Sequence, residues 1–380
     1  MQPPLFKLEA FFEEFEFRPN MYVLGSSDAQ TLSVGELLEM SEEPLGLEDI
    51  LLEYQDAKGD ESLRTAVAEM YKTATVTKEN VLITTGASEA IFLALHALLN
   101  PGDDAMVCRP VFQSVPEVAR MAGAKLRFYD YVEQDDFRPD VAAVLAAING
   151  ESPPRMLFIN TPHNPTGRAL DEATLNALLG QAQAARVAVV VNEMYSGVWL
   201  PPTQPVPSAL TLNPGAIVIA GLSKVFGLAG LRIGWIIGPS EFIQICKGLR
   251  YYTSLCPPAI LQKLGEIAVR NSEKILERTR RVVGLNYETA LQWLRAHERF
   301  FGWIAPDAGQ VMLIRLKSDT DTDSFARELA TKVNVLLIPC TTCFDMSKGY
   351  LRLGLGGEPS RFSEGLTLLG DSLDTVLAAK

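Results

Sequence analysis

The sequence predicts an α/β fold: a large domain built on a mainly parallel sheet, and a smaller α+β domain. Between about residues 80 and 240, short apolar runs alternate with helical patterns, which is typical of parallel strands joined by crossover helices. After Phe301 this alternation gives way to short strands and helices in no regular order. The chain has 380 residues, which is long enough for a large domain and a smaller one.

The elements of the large domain follow from apolar runs and helix signals. Residues 187–191 form a continuous apolar run, as expected of a strand that is buried on both faces. Asp171 and Glu172 favour the start of a helix whose body is rich in alanine. The predicted strands cover residues 81–84, 105–108, 125–129, 156–160, 187–191, 216–219 and 235–237. The predicted helices cover residues 88–99, 114–122 and 171–186.

The C-terminal part of the chain shows a different pattern. A helical pattern runs from residue 259 to about 297, with charged residues on one side. We then predict strands over residues 310–316, 335–338 and 350–353, and helices over residues 324–332 and 362–377. Cys340 and Cys343 form a CxxC pair without a second pair, so we expect neither zinc nor redox use. With only three histidines in the chain, we expect no histidine metal site.

Composition and charge narrow the possible partners. The apolar content of 47% and the charged content of 21% are those of a soluble globular protein. A net charge of -12 argues against nucleic acid and anionic membranes as partners. No apolar run approaches the ~20 residues of a membrane helix, and residues 1–9 do not have the pattern of a signal peptide. Five scattered cysteines fit a reducing compartment, so we expect a cytoplasmic protein.

One lysine lies where it could do chemistry. Lys224 follows an apolar run over residues 215–220, a predicted buried strand, and a turn of small residues. Because burial of an ammonium is costly, we expect a lowered pKa and a neutral amine that can attack an aldehyde. Arg232 follows among glycines, where a guanidinium can hold a phosphate. A lysine on a surface loop is the alternative, but the pair of residues suits pyridoxal 5'-phosphate (PLP).

The segment around this lysine resembles the PLP-lysine segment of class I/II aminotransferases, which are fold-type I PLP-dependent enzymes. It reads Ser223-Lys224-Val225-Phe226-Gly227-Leu228-Ala229-Gly230-Leu231-Arg232-Ile233-Gly234. Further segments recur in the order of that family: Tyr54…Gly59…Leu63-Arg64, Thr85-Gly86-Ala87-Ser88-Glu89-Ala90, residues 160–167, Asn192-Glu193-Met194-Tyr195 and Leu351-Arg352-Leu353. The resemblance covers nearly the whole chain. It implies an aminotransferase with a large PLP-binding domain over residues 41–289 and a small domain formed by residues 1–40 and 290–380.

The resemblance also implies where the phosphate of PLP binds. Residues 86–88 lie between a predicted strand and a helix, where free amides and the helix dipole attract an anion. The family places a serine three residues before the lysine, and this chain has Gly221 there. We therefore expect the phosphate to depend on Ser88, Ser223, Arg232 and the amides of the turn.

Four residues match positions of the family that contact the ring of PLP. Phe112 corresponds to the aromatic residue that stacks on the pyridine, and Asn164 and Tyr195 correspond to the donors to its phenolic oxygen. At Asn192 the family has an aspartate, which pairs with the protonated pyridine nitrogen. An asparagine can hydrogen-bond this nitrogen but supplies no charge, so we expect weaker stabilisation of a carbanion. Alternation along the strand turns Glu193 to the opposite face.

The resemblance implies an amino-acid substrate and a homodimer. Arg352 matches the arginine that holds the substrate α-carboxylate, with Asn164 and Gly25 as further contacts. Tyr54 matches a tyrosine that reaches the phosphate of the neighbouring subunit; the alternative is packing within its own subunit. We expect Asp28 and the acidic residues near it to lie in a solvated N-terminal segment; the alternative is that they face a cationic side chain.

The reaction type remains open between several outcomes. Residues 8–37 resemble, more weakly, capreomycidine synthase and related PLP enzymes that handle arginine. Cyclisation, elimination or oxidation is therefore an alternative to amino transfer, with an arginine-like amino acid as a possible substrate. In each case Lys224 bonds to PLP and then moves the α-proton of the substrate. A PLP-binding protein without turnover is the alternative from another class.

Overall fold

The structure is a computed structural model that describes residues 3–41, 46–347 and 349–378. The predicted domains also include residues 1–2, 42–45, 348 and 379–380, which lie outside the described residues. The predicted boundary after residue 289 falls within a helix that continues to Ala296. The division into two domains stays a prediction.

The larger sheet is mainly parallel, as predicted. Its strands are β1 Val81–Thr85, β2 Asp104–Arg109, β3 Lys125–Asp130, β4 Met156–Asn160, β5 Ala188–Asn192, β6 Ile217–Gly221 and β7 Ile233–Ile237. They are ordered β1-β7-β6-β5-β4-β2-β3, and the pairs from β6 to β3 are parallel. β7 is antiparallel to both of its neighbours. Every residue of β4, β6 and β7 is buried, so the core lies on both faces of this sheet.

Most of the helices connect or cover these strands. They are α1 Lys7–Phe15, α2 Val34–Leu38, α3 Glu61–Met70, α4 Gly86–Leu98, α5 Ser114–Met121, α6 Val141–Ile148, α7 Glu172–Ala184, α8 Ala209–Leu212, α9 Ser240–Arg250, α10 Ala259–Arg270, α11 Ser272–Ala296, α12 Thr322–Lys332, α13 Cys340–Phe344 and α14 Pro359–Ala378. Asp171 caps α7 by accepting the amide of Thr174, as the predicted helix start required. Within the described residues, no helix combines the length and the apolar character needed to cross a membrane.

The helical stretch predicted over residues 259–297 is confirmed, but Asn271 divides it into α10 and α11. Asn271 leaves helical geometry, with φ -101° and ψ 20°. Its backbone amide and its side-chain amide both donate to the carbonyl oxygen of Ile267, each at 3.0 Å, and this double contact closes the last turn of α10. α11 then begins at the next residue.

The smaller sheet contains β8 Phe301–Ile304, β9 Val311–Leu316, β10 Ile338–Pro339 and β11 Tyr350–Gly354, in the antiparallel order β10-β11-β9-β8. The strand predicted over residues 335–338 is wrong except for Ile338. The preceding residues pair instead with the N-terminal segment. The amide of Tyr22 donates to Asn334 O and the amide of Gly25 donates to Leu336 O, both at 2.8 Å. This pairing brings the N-terminal segment beside the smaller sheet.

Candidate active site

A cavity of about 470 Å³ lies where strands of the larger sheet end. Asn160 and Asn192, the last residues of β4 and β5, both line it, and Lys224 follows β6. Ligands of open α/β sheets bind at the carboxyl ends of strands, and this volume is typical of a small-molecule site. The predicted site residues that line the cavity are Ala87, Ser88, Phe112, Asn164, Asn192, Tyr195, Ser223, Lys224, Arg232 and Arg352.

Lys224 forms an ion pair at the wall of this cavity. Its Nζ donates to Oδ1 of Asp28 at 2.6 Å. Desolvation acts to lower the pKa of Lys224, but the charges of Asp28 and Tyr195 and the hydrogen bond to Asp28 outweigh it and raise the pKa. The prediction of a lowered pKa is therefore wrong, because a carboxylate stabilises the ammonium. The contact joins residues 196 positions apart.

The start of α4 is arranged as an anion site. Its N-cap residue, Thr85, makes no side-chain capping bond, so amides at the helix start stay free. A Cβ atom at Gly86, where φ is +73°, would lie 2.4 Å from Nη2 of Arg232. The guanidinium therefore lies against the helix start, where only glycine allows this approach. The hydroxyl-bearing residues Ser88 and Ser223 line the same cavity. A positive helix end, a guanidinium and hydroxyl groups are the groups that hold a phosphate.

Gly221, which departs from the family pattern, is required by the backbone. It pairs with Gly234 between β6 and β7. A Cβ atom at Gly221 would lie 2.8 Å from Cα of Gly234 and 2.9 Å from the carbonyl oxygen of Ile233. A serine does not fit at this position unless the two strands separate.

Three buried side chains offer hydrogen-bond donors to the cavity. Asn164, Tyr195 and Asn192 are 5%, 5% and 8% exposed. Oδ1 of Asn192 accepts the amide of Met194 at 3.1 Å, and Oδ1 of Asn164 accepts Nη1 of Arg352 at 3.1 Å. Because these bonds occupy the side-chain oxygens, each Nδ2 is left as a donor. Within the described part of the chain, neither Nδ2 nor the Tyr195 hydroxyl has a hydrogen-bond partner, so all three remain for a ligand.

Phe112 supplies an aromatic surface to the same cavity. Its ring centroid lies 5.2 Å from that of Phe6, with the rings tilted by 51°. Both residues line the cavity. The arrangement is suited to contact with a flat ring.

Arg352 presents one end of its guanidinium to the cavity. It is 1% exposed, and its Nε and Nη2 donate to the carbonyl oxygen of Gly25 at 3.0 and 2.9 Å. Nη1 donates to Asn164. One N–H on each terminal nitrogen remains after these bonds, which is the fork that matches a carboxylate. Gly25 does not line the cavity and contributes by fixing the arginine; a Cβ atom there would lie 2.8 Å from the amide nitrogen of Ile338.

Glu193, which directly follows β5, points away from the cavity that Asn192 lines, in agreement with the prediction. Its Oε1 accepts the Ser208 hydroxyl at 3.0 Å and the amide of Ala209 at 2.8 Å. Burial raises the pKa of Glu193 to about 7. Glu193 therefore does not replace the missing carboxylate at Asn192.

Three acidic residues in the cavity were not predicted as site residues. Asp28 contacts Lys224, so its expected place in a solvated segment is wrong. Glu9 and Glu16 also line the cavity, together with Phe12. The sequence contained one signal for them, because residues 9, 12 and 16 have the spacing of one helix face.

Tyr54 does not line the cavity. It is 84% exposed, so the alternative that it packs within its own subunit is wrong. Leu52 and Tyr252 are also strongly exposed, each at 90%. Tyr54 lies with Tyr251 and Leu255 around a separate groove.

Comparison with known proteins identifies the family. Residues 19–367 match the family Aminotransferase class I and II. The chain belongs to this family. It is a PLP-dependent transferase, and PLP is its cofactor.

Relatives within the family differ in the reactions that their names give. Capreomycidine synthase of Streptomyces vinaceus is 25% identical over 98% of this chain and 94% of that protein. The crystal structure of a PLP-dependent aminotransferase from Streptococcus suis has a TM-score of 0.90 and 25% identity, and covers 99% of both chains. The PLP-dependent cyclase OrfR has the same TM-score and 26% identity, and covers 99% of this chain and 98% of its own.

The cavity of this transferase fits PLP. The anion site at the start of α4 suits its phosphate, and Phe112 suits its ring. The free donors of Asn164, Tyr195 and Asn192 suit its phenolic oxygen and its pyridine nitrogen, both of which can accept hydrogen bonds.

Proposed function

We propose that this enzyme transfers the α-amino group of an L-amino acid to a 2-oxo acid, with PLP bonded to Lys224. The observation that carries the proposal is one cavity that contains both the amine of Lys224 and the free fork of Arg352. An amine that bonds to an aldehyde and a guanidinium that holds a carboxylate are the two groups that an α-amino acid requires.

In this proposal, each side chain has a defined task. Arg352 binds the α-carboxylate and orients the substrate, and Lys224 moves the α-proton as a general base. PLP supplies the electron sink that stabilises negative charge at the α-carbon. Arg352 also fixes Oδ1 of Asn164, so the residue that positions the substrate orients a donor to the cofactor. The proposed cofactor contacts are Gly86, Ala87, Ser88, Ser223 and Arg232 for the phosphate, Phe112, Asn164, Tyr195 and Asn192 for the ring, and Tyr54 from a second subunit.

We also propose a homodimer formed by the surface around Tyr54. Tyr54, Leu52 and Tyr252 are largely exposed on one chain, and large apolar side chains grouped at a surface favour association. A second copy of the chain would cover Tyr54 and bring it to the partner's phosphate. Light scattering at micromolar concentration should give the mass of a dimer. A monomer with full PLP occupancy would remove this proposal.

A second candidate is cyclisation, elimination or oxidation of the amino acid. The likeness to capreomycidine synthase, over nearly the full length of both chains, and to the cyclase OrfR supports this candidate. The same groups serve all of these outcomes up to removal of the α-proton, and the contacts of the substrate side chain separate them afterwards.

The test is mass spectrometry of the products from a panel of L-amino acids, with and without a 2-oxo acid and oxygen. Amino transfer predicts that the new 2-oxo acid exceeds one equivalent of enzyme only when a 2-oxo acid acceptor is supplied. A product that keeps the nitrogen and forms without an acceptor would support the second candidate instead.

A further inference from the structure

Three carboxylates line the cavity that contains Lys224. Glu9 and Glu16 come from the α1 region and Asp28 from the segment that follows it. Glu9, Phe12 and Glu16 have the spacing of one helix face. The same cavity receives the free donors of buried side chains and the fork of Arg352, so the half-buried Glu16 and Asp28 belong to a formed binding site, which the exposed Glu9 also lines.

Glu16 has no cation within ion-pair distance among the described residues. It is half-buried, and in the described part of the chain no hydrogen bond or ion pair engages its carboxylate. Burial raises the pKa of Glu16 and the charges of Asp28 and Glu9 raise it further, which together outweigh the lowering effect of the Lys224 charge. The carboxylates therefore repel one another across the cavity. A positive charge between them would relieve this repulsion.

The cations of the cavity lining have other tasks in the proposed function. They are Lys224, Arg232 and Arg352. Arg232 binds the phosphate of PLP, and Arg352 binds the substrate α-carboxylate. In the proposed function Lys224 either carries the cofactor or acts as a neutral general base, and in neither role is it the ammonium that pairs with Asp28. This leaves the charges of three carboxylates without a matching group from the protein.

We propose that the substrate is an L-amino acid whose side chain carries a guanidinium or an ammonium group, bound by Glu16, Asp28 and Glu9. The inference rests on the proposed function, because Arg352 must hold the α-carboxylate for the side chain to extend towards α1. Phe12, between the two glutamates on α1, provides an apolar surface for the methylene groups of such a side chain.

Binding of L-arginine and L-citrulline to the PLP-loaded protein tests this proposal. The two amino acids have nearly the same shape, but citrulline has a neutral urea in place of the guanidinium. Titration followed by the absorption spectrum of the bound cofactor gives both dissociation constants without requiring turnover. Because charge-assisted hydrogen bonds are stronger than neutral ones, arginine should bind about ten-fold tighter or more.

Substitutions of the carboxylates identify which residues cause the preference for arginine over citrulline. Glu16→Gln keeps the size of the side chain and should reduce the preference for arginine about five-fold or more, and Asp28→Asn should act in the same direction. Glu13→Gln is the matched control, because Glu13 is an exposed residue of the same helix and does not line the cavity. The Glu13→Gln variant should prefer arginine over citrulline as strongly as the unmodified protein does.

The outcomes separate this inference from the proposed function. Equal affinity for arginine and citrulline, or a preference for arginine that survives both Glu16→Gln and Asp28→Asn, overturns the inference alone. A spectrum that no amino acid of the panel changes overturns the proposed function and the inference together.

Discussion

Replacing Asp28 with asparagine should make Lys224 a faster nucleophile towards PLP. The Asp28 carboxylate lies 2.6 Å from the ammonium and raises the pKa of Lys224 against the effect of desolvation. Only the neutral amine attacks an aldehyde, so the ion pair holds Lys224 in its unreactive form. The Asp28→Asn substitution keeps the size of the side chain and removes its charge.

The size of the effect follows from the geometry of the pair. A hydrogen bond to a charged group contributes about 1.5–3 kcal/mol. The lower value applies here, because the Asp28 side chain is 39% exposed and solvent screens the pair. A loss of about 1.5 kcal/mol corresponds to roughly ten-fold more neutral amine at a given pH below the pKa of Lys224.

The assay is the rate of PLP capture by the cofactor-free protein, followed by the change in visible absorbance between about pH 7 and 9. In the unmodified protein the rate should rise with pH throughout this range, since the pKa of Lys224 is raised. The Asp28→Asn variant should be about ten-fold faster and level off at lower pH. Glu13→Gln is the control, because Glu13 is an exposed residue of α1 that does not line the cavity. Identical rate profiles for Asp28→Asn and the unmodified protein would refute this reasoning; a gain independent of pH would indicate weaker repulsion of the phosphate instead.

Three further substitutions test other parts of the site. Arg352→Lys should raise KM for the amino acid about ten-fold or more and change PLP affinity little, since lysine lacks the planar fork. The control is Arg250→Lys, at a buried arginine bonded to Glu89, which should lower Tm instead. Equal losses of affinity for substrate and cofactor in Arg352→Lys would show a structural role. Asn192→Asp should speed exchange of the substrate α-proton with solvent about ten-fold, the rate equivalent of ~1.4 kcal/mol, and strengthen PLP retention; unchanged exchange would place residue 192 away from the pyridine nitrogen. Burial raises the pKa of Glu193 from 4.5 to about 7, so the fold favours its protonated form and should lose roughly 3 kcal/mol of stability as pH rises from about 4.5 to above 7. Urea unfolding of Glu193→Gln should lack this loss, and equal pH dependence in both proteins would contradict the assignment.

The larger sheet could be predicted from the sequence because its strands are continuous apolar runs between turns. The strand predicted over residues 156–160 has the same bounds as β4. Such runs do not specify their partners. Residues 335–337 are apolar and buried, as predicted for a strand, but they pair with the N-terminal segment and not with the smaller sheet. The break at Asn271 was also missed, since a single asparagine is a weak signal in a helical pattern.

The site could be predicted where its residues belong to local motifs. The turns that contain Lys224, Arg232 and the start of α4 include glycines at positions where a Cβ atom would clash, so these turns can be recognised in the sequence. The acidic wall could not be found in this way, because the contact between Asp28 and Lys224 joins distant parts of the chain. The raised pKa of Lys224 depends on that contact, so the sequence predicted the wrong direction.

The most direct test of the central claim is borohydride reduction of the PLP-loaded protein followed by peptide mapping. Borohydride reduces the bond between the cofactor and the lysine amine to a stable single bond. The mass of the pyridoxyl group should appear on the peptide that contains Lys224, and on that residue when the peptide is fragmented. A label on another lysine, or no label while PLP is bound, would contradict the assignment of Lys224.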